Sequence, residues 1–597
     1  MPPSISFERL KNLRTEMQQS QVNVFMIPRS DEHQGEYVSA YAERLAWLTG
    51  FNGSAGSAVI MKNKASLFVD GRYILQAQTQ VDTEYIEIKP LAETTPSDWL
   101  RGELKGGERV AYDPWLHTES EIEQYKKACT SVGAQLVACE YNFIDKIWKD
   151  QPTPPKTFLT IHEFKYSGKS TADKITELAY QLNQRKIDMA VLTMLDSIAW
   201  LLNIRANDLP CTPVALSFVI LHKDETIDLF IHTDEIGLEI RSYLGDKVRI
   251  HPLQEFESRL QQNAYKKYRI LVDPKTAPCK ISQIIIAAGG KIIPDDDPCI
   301  ILKACKNNVE IAGMKAAHIR DGAALCNFLA WLYSTVHQQT VTEIDAVNML
   351  YKLRSQQTLF KGVSFETISA SGPNGAIVHY RACQESDRII DPSLLYLLDS
   401  GGQYLDGTTD VTRTIAFQAP SPEQKDRFTR VLKGHIAIVQ ARFPRGTSGL
   451  QLDTLARHSL WQIGVDYAHG TGHGVGSYLN VHEGPQSISK WGNSVALQPG
   501  MILSNEPGYY KAGAYGIRIE SLVVVIEKND IPTAEYPMLG FETLTVVPIC
   551  LNLVDTTLLE SSEINWLNNY HAYVRSVIIP LVDQETAAWI IDQTQEL

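Results

Sequence analysis

The sequence predicts a mixed architecture: two repeated α/β segments, then a larger α+β segment that carries the chemistry. Three observations predict it. A tryptophan followed by a hairpin pattern occurs twice in the N-terminal half. Proline clusters, Gln151-Pro152-Thr153-Pro154-Pro155 and Pro294-Asp295-Asp296-Asp297-Pro298, bracket the second copy. Beyond them, acids and histidines stand in apolar or glycine-rich surroundings, where charge is costly to bury.

The first segment opens with a helix expected near Phe7 to Gln19 and a short apolar strand, Val22 to Ile27. Ser57 to Met61, a polar turn at Lys62-Asn63-Lys64, and Leu67 to Val69 have the pattern of a hairpin. Three prolines in four positions after residue 151 can continue neither a helix nor an inner strand, so a boundary is placed there. The expected domains are 1–150, 156–298 and 299–597.

The second segment repeats the first. Ala46-Trp47-Leu48-Thr49 is echoed by Ala199-Trp200-Leu201-Leu202. The hairpin is echoed by Ser217 to Leu221, a turn at Lys223-Asp224-Glu225, and Ile227 to Phe230. The offsets, 153 residues for the tryptophans and 160 for the hairpins, differ by a short insertion. Two copies of this length indicate duplicated α/β domains and not a solenoid.

In the third segment, Ile311, Met314, Leu325, Phe328 and Leu332 keep one apolar face along a long helix. Ser421-Pro422-Glu423-Gln424 has a capping residue, proline in the first turn and Gln at the capping-box position, so a second helix starts there. Phe428, Val431, His435 and Ile438 run down its apolar side. Strands are expected at Leu394 to Asp399, Asp410 to Phe417, Met501 to Ser504 and Gly516 to Glu527. Helices on an antiparallel sheet make this segment α+β.

Bulk properties narrow the function. The chain has 597 residues, too many for one core. A net charge of −13 argues against a nucleic-acid partner, since phosphate binding needs a basic face. Nine cysteines, irregularly spaced and without C-x-x-C, fit reduced thiols in a cytosolic setting and not a disulfide frame or a thiolate zinc cluster. Met1 to Leu10 shows no apolar h-region, and no run approaches the roughly 20 residues of a membrane span. The C-terminal stretch Ser576 to Val582 is apolar but short, which suits burial or a subunit interface. Asn52-Gly53-Ser54 matches a glycosylation acceptor and is read as a turn.

The chemistry centres on Asp399, Asp410, His473, Glu506 and Glu520. Asp399 follows an apolar run and Asp410 comes eleven positions later, with glycines between, as if both strands of a hairpin sent an acid to one pocket. In Gly516 to Val525, alternation puts Arg518 and Glu520 on one face and Ile517 and Ile519 on the other. Four carboxylates in one pocket repel, and some must take up protons unless cations neutralise them. Two divalent cations balance four carboxylates. An oxygen-rich, thiolate-free set favours Mn²⁺, Mg²⁺ or Co²⁺ over a structural zinc. Two such ions about 3.5–4 Å apart form a known hydrolytic device.

Histidine is the second clue. His469-Gly470-Thr471-Gly472-His473-Gly474-Val475-Gly476 is followed by His482-Glu483-Gly484-Pro485. The glycines let backbone and substrate approach the rings. The run lacks both the G-x-G-x-x-G spacing and the Lys of a phosphate loop. Neither G-x-S-x-G nor H-E-x-x-H occurs; His162-Glu163-Phe164-Lys165-Tyr166 comes nearest to the latter but ends in Tyr.

These motifs resemble the pita-bread metallopeptidases, a family that includes methionine aminopeptidases, prolidases and aminopeptidase P. All five positions match the family's Asp, Asp, His, Glu, Glu order. The match extends to Phe365-Glu366-Thr367-Ile368-Ser369-Ala370 and Ile377-Val378-His379-Tyr380. Over nearly its full length the chain resembles the long, three-domain, cytosolic aminopeptidase P group, with two creatinase-like N-terminal domains before the pita-bread catalytic domain. The resemblance implies hydrolysis of the N-terminal Xaa–Pro bond of peptides with proline second, with two divalent metal ions, Mn²⁺ first among the candidates, in a cytoplasmic homodimer. It implies Asp410 and Glu520 bridging both ions, Asp399 on one, and His473 and Glu506 on the other. Glu506 is then also the general base, and His379 and His482 hydrogen-bond the substrate and the developing oxyanion. His469 would line the substrate pocket. Arg518 would either orient a ligand carboxylate or form an ordinary buried ion pair. Two competing readings are a prolidase-type dipeptidase and a non-catalytic peptide-binding module on the same fold.

Overall fold

The computed structural model describes residues 5–156, 158–232 and 236–597. The first four residues of the N-terminal stretch read above lie outside the described residues. The chain divides into two compact units: Met1–His162 with Lys169–Ile300, and Glu163–Gly168 with Ile301–Leu597.

The first unit holds two six-stranded sheets. In one, the strands lie in the order Glu87–Pro90, Ala65–Val69, Ser57–Met61, Val24–Pro28, Arg109–Tyr112, Gln135–Ala138. In the other the order is Val248–Pro252, Ile227–Ile231, Ser217–His222, Met189–Leu192, Arg269–Val272, Lys291–Pro294. Position by position the two match, including which neighbours are antiparallel and which parallel. Helices Arg44–Thr49 and Leu195–Leu202 carry Trp47 and Trp200 at equivalent places before each hairpin. Ala65–Val69 and Met189–Leu192 are buried along their whole length, as expected of sheet strands covered on both faces.

The second unit is antiparallel in every strand pairing among the described residues. Its longest helix, Asn308–Thr335, starts at an Asn307–Glu310 capping box and buries Met314, Leu325, Phe328 and Leu332. Helix Pro422–Val439 begins at the Ser421–Gln424 capping box, a device that contributes about 1 kcal/mol. Its Phe428, Val431 and Leu432 pack with Ile517, Ile519, Leu567 and Val574 in one core cluster. Ile578 is buried in the same cluster, with the partly buried Val577, Ile579 and Val582 packed against it. All nine cysteines are free thiols. Among the described residues, no helix is long and apolar enough to cross a membrane.

Two local expectations need correction. Gly516 to Glu527 is not one strand but two, Tyr515–Arg518 and Ser521–Glu527, in different sheets. At the break the backbone changes partners: Ile519 N–H donates to Pro507 O and Glu520 N–H to Thr412 O. No glycine or proline marks that switch, so an apolar run reads as continuous. The Asp399–Asp410 hairpin is likewise divided. Its ladder ends at Ser400–Val411, and the distal strands Gly402–Tyr404 and Gly407–Thr408 join Phe360–Val363 in another sheet. At the crossing, a Cβ on Gly401 would lie 2.0 Å from Thr409 O, so only glycine fits.

Candidate metal centre

The acids sit where strands end. Asn505 pairs with Ser521, so Glu506 and Glu520 leave neighbouring strands at the same end of the six-stranded sheet. Strand Gly472–Gly474, in that sheet, carries His473. Asp399 lies in Leu395–Ser400, opposite Thr412, and Asp410 immediately precedes Val411–Ala416. The Glu520 N–H to Thr412 O bond joins the two sheets at this point.

Ligand atoms of Asp410, His473 and Glu520 lie within 4.8 Å of one another. His473 Nε2 is 3.5 Å from Asp410 Oδ2 and 3.5 Å from Glu506 Oε1. His473 Nδ1 lies 2.9 Å from Gly474 O, so that nitrogen carries the proton. The Nε2 lone pair is thereby left facing the acids, which is the tautomer a metal requires. Ser504 Oγ accepts from His473 N–H and donates to Glu506 Oε1, linking the two.

Asp399, Asp410 and Glu520 are 8%, 3% and 2% exposed, too little for water to solvate their charges. Burial first, and then the negative charges of Asp399 and Glu506, hold Asp410 well above the usual carboxylate range. Glu520 is raised by burial and by Asp410, Asp399 and Glu506. Burial also pushes Glu506 up to about 7, with Arg518 pulling it down and Asp399 pushing it up. Such a set is unstable as an ionised cluster and is relieved by cations.

Arg518 is the fixed cation at the edge. It is buried, and its Nη2 donates to Asp399 Oδ2 at 2.5 Å. Its Nε donates to Thr412 Oγ1, which in turn donates to Glu520 Oε2 at 2.7 Å. Its Nη1 donates to Tyr510 OH at 2.7 Å. Burial pushes the Tyr510 hydroxyl up to about 12, so it stays protonated. It lies 2.9 Å from His469 Nε2, while His469 Nδ1 is held by Gly470 O at 2.7 Å. One chain of hydrogen bonds therefore runs from Asp399 through Arg518 and Tyr510 to His469.

Asp399 Oδ1 is buried and has no hydrogen-bond partner among the described residues. An acceptor oxygen left bare in this way fits a cation ligand. Four carboxylates, one correctly tautomerised imidazole and a bare carboxylate oxygen together fit divalent metal.

The flanking histidines differ in their placement. The His482 ring stands 4.2 Å from the His473 ring, edge to face. His469 Nδ1 is 3.9 Å from Glu506 Oε2. His379 is half-buried, and the preceding Val378 O accepts from Arg518 Nη1 at 3.4 Å. Sequence reasoning missed Thr412, Ser504 and Tyr510. Each lies within five residues of one of the five central positions, but a hydroxyl on a strand carries no signal of its own.

Acids gathered at the strand ends of an antiparallel α+β unit, in a chain that begins with two matched α/β sheets, define a metallohydrolase of the pita-bread type. Residues 312–527 match metallopeptidase family M24, and 537–597 match the C-terminal region of that peptidase. Residues 9–147 and 150–310 each match a creatinase/prolidase N-terminal domain. A probable Xaa-Pro aminopeptidase P of Paracoccidioides brasiliensis is 41% identical over 99% of this chain and 99% of its own. Aminopeptidase P2 of Arabidopsis thaliana is 41% identical over 99% of this chain and 88% of its own. The crystal structure of an X-prolyl aminopeptidase from Caenorhabditis elegans, a cytosolic enzyme with a di-nuclear active site, superposes with a TM-score of 0.95 at 34% identity. That match covers 99% of this chain and 100% of the other. The chain belongs to metallopeptidase family M24.

Proposed function

We propose that the protein is an Xaa-Pro aminopeptidase that hydrolyses the bond between the first residue of a peptide and a proline at the second position. The observation that carries this reading is the convergence of Asp410, His473 and Glu520 within 4.8 Å, beside Glu506 and the bare oxygen of Asp399. The 41% identity to aminopeptidases P over the whole chain supports the substrate class.

The five residues would hold two divalent ions; their hardness suits Mn²⁺, Mg²⁺ or Co²⁺, and the family resemblance selects Mn²⁺ among them. Asp410 and Glu520 would bridge the pair, Asp399 would bind one ion, and His473 and Glu506 the other. When bound, the ions supply Lewis acidity and lower the pKa of a coordinated water. The protein's own groups do the rest. Glu506 takes the proton of the attacking water and passes it to the leaving proline nitrogen as the C–N bond breaks. Ser504, donating to Glu506 Oε1, fixes which carboxylate oxygen is free for that transfer. His482 and His379 hydrogen-bond the substrate and the negative oxygen that develops on the scissile carbonyl. His469, locked by Tyr510 and Gly470, lines the pocket. Arg518 orients Asp399 and, through Thr412, Glu520.

The same reading divides the chain into creatinase-like domains at 1–150 and 156–298 and a catalytic domain at 299–597. It describes a cytoplasmic homodimer that binds neither nucleic acid nor membrane. Offering a tripeptide Xaa-Pro-Zaa and a dipeptide Xaa-Pro side by side tests the assignment. An aminopeptidase releases the first residue of the tripeptide. Cleavage of the dipeptide alone would make the protein a prolidase-type enzyme, and cleavage of neither would favour a peptide-binding module.

A further inference from the structure

Between Ala376 and Leu395 the chain forms neither helix nor strand, and His379 lies in that stretch. A loop of this length in a compact unit needs an anchor to hold one conformation. The anchor is Glu343, the fully buried first residue of helix Glu343–Ser355. Its Oε1 accepts from Ser371 N–H at 2.6 Å, and its Oε2 from Tyr380 OH at 2.7 Å and Arg388 N–H at 3.2 Å. Asn374 Nδ2 donates to both oxygens at 3.0 Å. The attachment is reciprocal. Glu343 N–H donates to Arg388 O at 2.9 Å, and Asp387 Oδ1 accepts from Ile344 N–H at 3.0 Å at the start of the helix.

The residues on either side of His379 are therefore tied to different bodies. Tyr380 is held by Glu343, and Val378 O by Arg518. We infer that Glu343 is a positioning residue for His379: its carboxylate gathers two donors of the loop, Tyr380 and Arg388, and two of the segment that leads into it, Ser371 and Asn374, and so fixes where the His379 ring meets the substrate. The inference rests on the proposed contact of His379 with substrate. Glu343 touches no reacting atom. It acts by removing alternative loop conformations, so it contributes to turnover only through the residue it orients.

Glu343→Gln keeps the volume but turns one acceptor oxygen into a donor, which strands at least one of the loop's donors. The test is a double-mutant cycle with His379→Ala, read as kcat/KM on an Xaa-Pro-Zaa tripeptide, with metal content measured on each variant. Glu343→Gln is expected to lower kcat/KM about 10–100-fold alone and less than about 2-fold in the His379→Ala background, with metal content unchanged. Tyr380→Phe, which removes one hydroxyl, gives a smaller loss with the same dependence on His379. Equal losses in both backgrounds, or no loss from either variant, would overturn the inference. If His379→Ala alone retained wild-type kcat/KM, the substrate role of His379 would fall, and this inference with it.

Discussion

Arg518 Nη2 donates to Asp399 Oδ2 at 2.5 Å, while Asp399 Oδ1, buried, has no hydrogen-bond partner among the described residues. The carboxylate is thus divided between one oxygen fixed by the protein and one whose bare lone pairs fit a cation. The two readings of Arg518 from the sequence, ion pair or orienting group, describe the same contact. Replacing Arg518 with Met removes the donor to Asp399, Thr412 and Tyr510 together. The expected result is a loss of about 10–100-fold in metal affinity or activity, checked by metal titration and turnover.

Glu506→Ala is expected to abolish turnover, with a loss of at least about 100-fold in kcat, and to leave the fold intact by circular dichroism. The side chain is half-buried at a strand end and is not part of a core cluster. Wild-type turnover in this variant would remove Glu506 from the mechanism.

Metal binding should stabilise the protein more as pH rises. Glu506, raised to about 7, and Asp410 and Glu520, also raised, bind protons in the metal-free native state that the unfolded chain releases in the ordinary carboxylate range. Between that range and about pH 7 the native state therefore holds more protons, and metal-free stability falls as pH rises. Bound cations keep the carboxylates ionised and remove the effect. Buried His117, His435 and His571, each held down to about 3 by burial, act the other way but equally in both forms. Thermal denaturation with and without chelator from about pH 5 to 8 should show the gap in Tm widening with pH. Parallel curves would contradict the electrostatic account.

What was legible in the sequence follows from what charge and glycine cost. Asp399, Asp410, His473, Glu506 and Glu520 stood out because apolar or glycine-rich neighbours make each an expensive place for a polar group, and the fold brings them to one pocket. The Trp47 and Trp200 repeat was legible because two hairpins need the same alternation and turn chemistry, and the matched sheets follow. Thr412, Ser504 and Tyr510 were not, since their roles depend on tertiary neighbours such as Arg518 and His473. The strand break at Ile519-Glu520 was hidden because the exchange of partners is made by Pro507 O and Thr412 O, far away in sequence.

Gly516 supplies a test of the packing beneath the site. A Cβ there would lie 1.7 Å from Gly375 O, backbone that cannot rotate away. Gly516→Ala should destabilise the second unit by about 1–3 kcal/mol, read from urea denaturation, by pushing the turn Gly372–Ala376, which leads into the His379 loop, off strand Tyr515–Arg518. Wild-type stability and activity would show that the two segments separate freely.

The central claim is that this pocket is a dinuclear hydrolytic centre acting on Xaa–Pro bonds. The most direct measurement is metal content paired with cleavage of one Xaa-Pro-Zaa tripeptide, before chelation, after it, and after Mn²⁺ is restored. The account predicts about two divalent ions per chain and release of the first residue, lost on chelation and regained with the metal. Cleavage that persists without metal, or a metal-loaded protein that leaves the tripeptide intact, would contradict it.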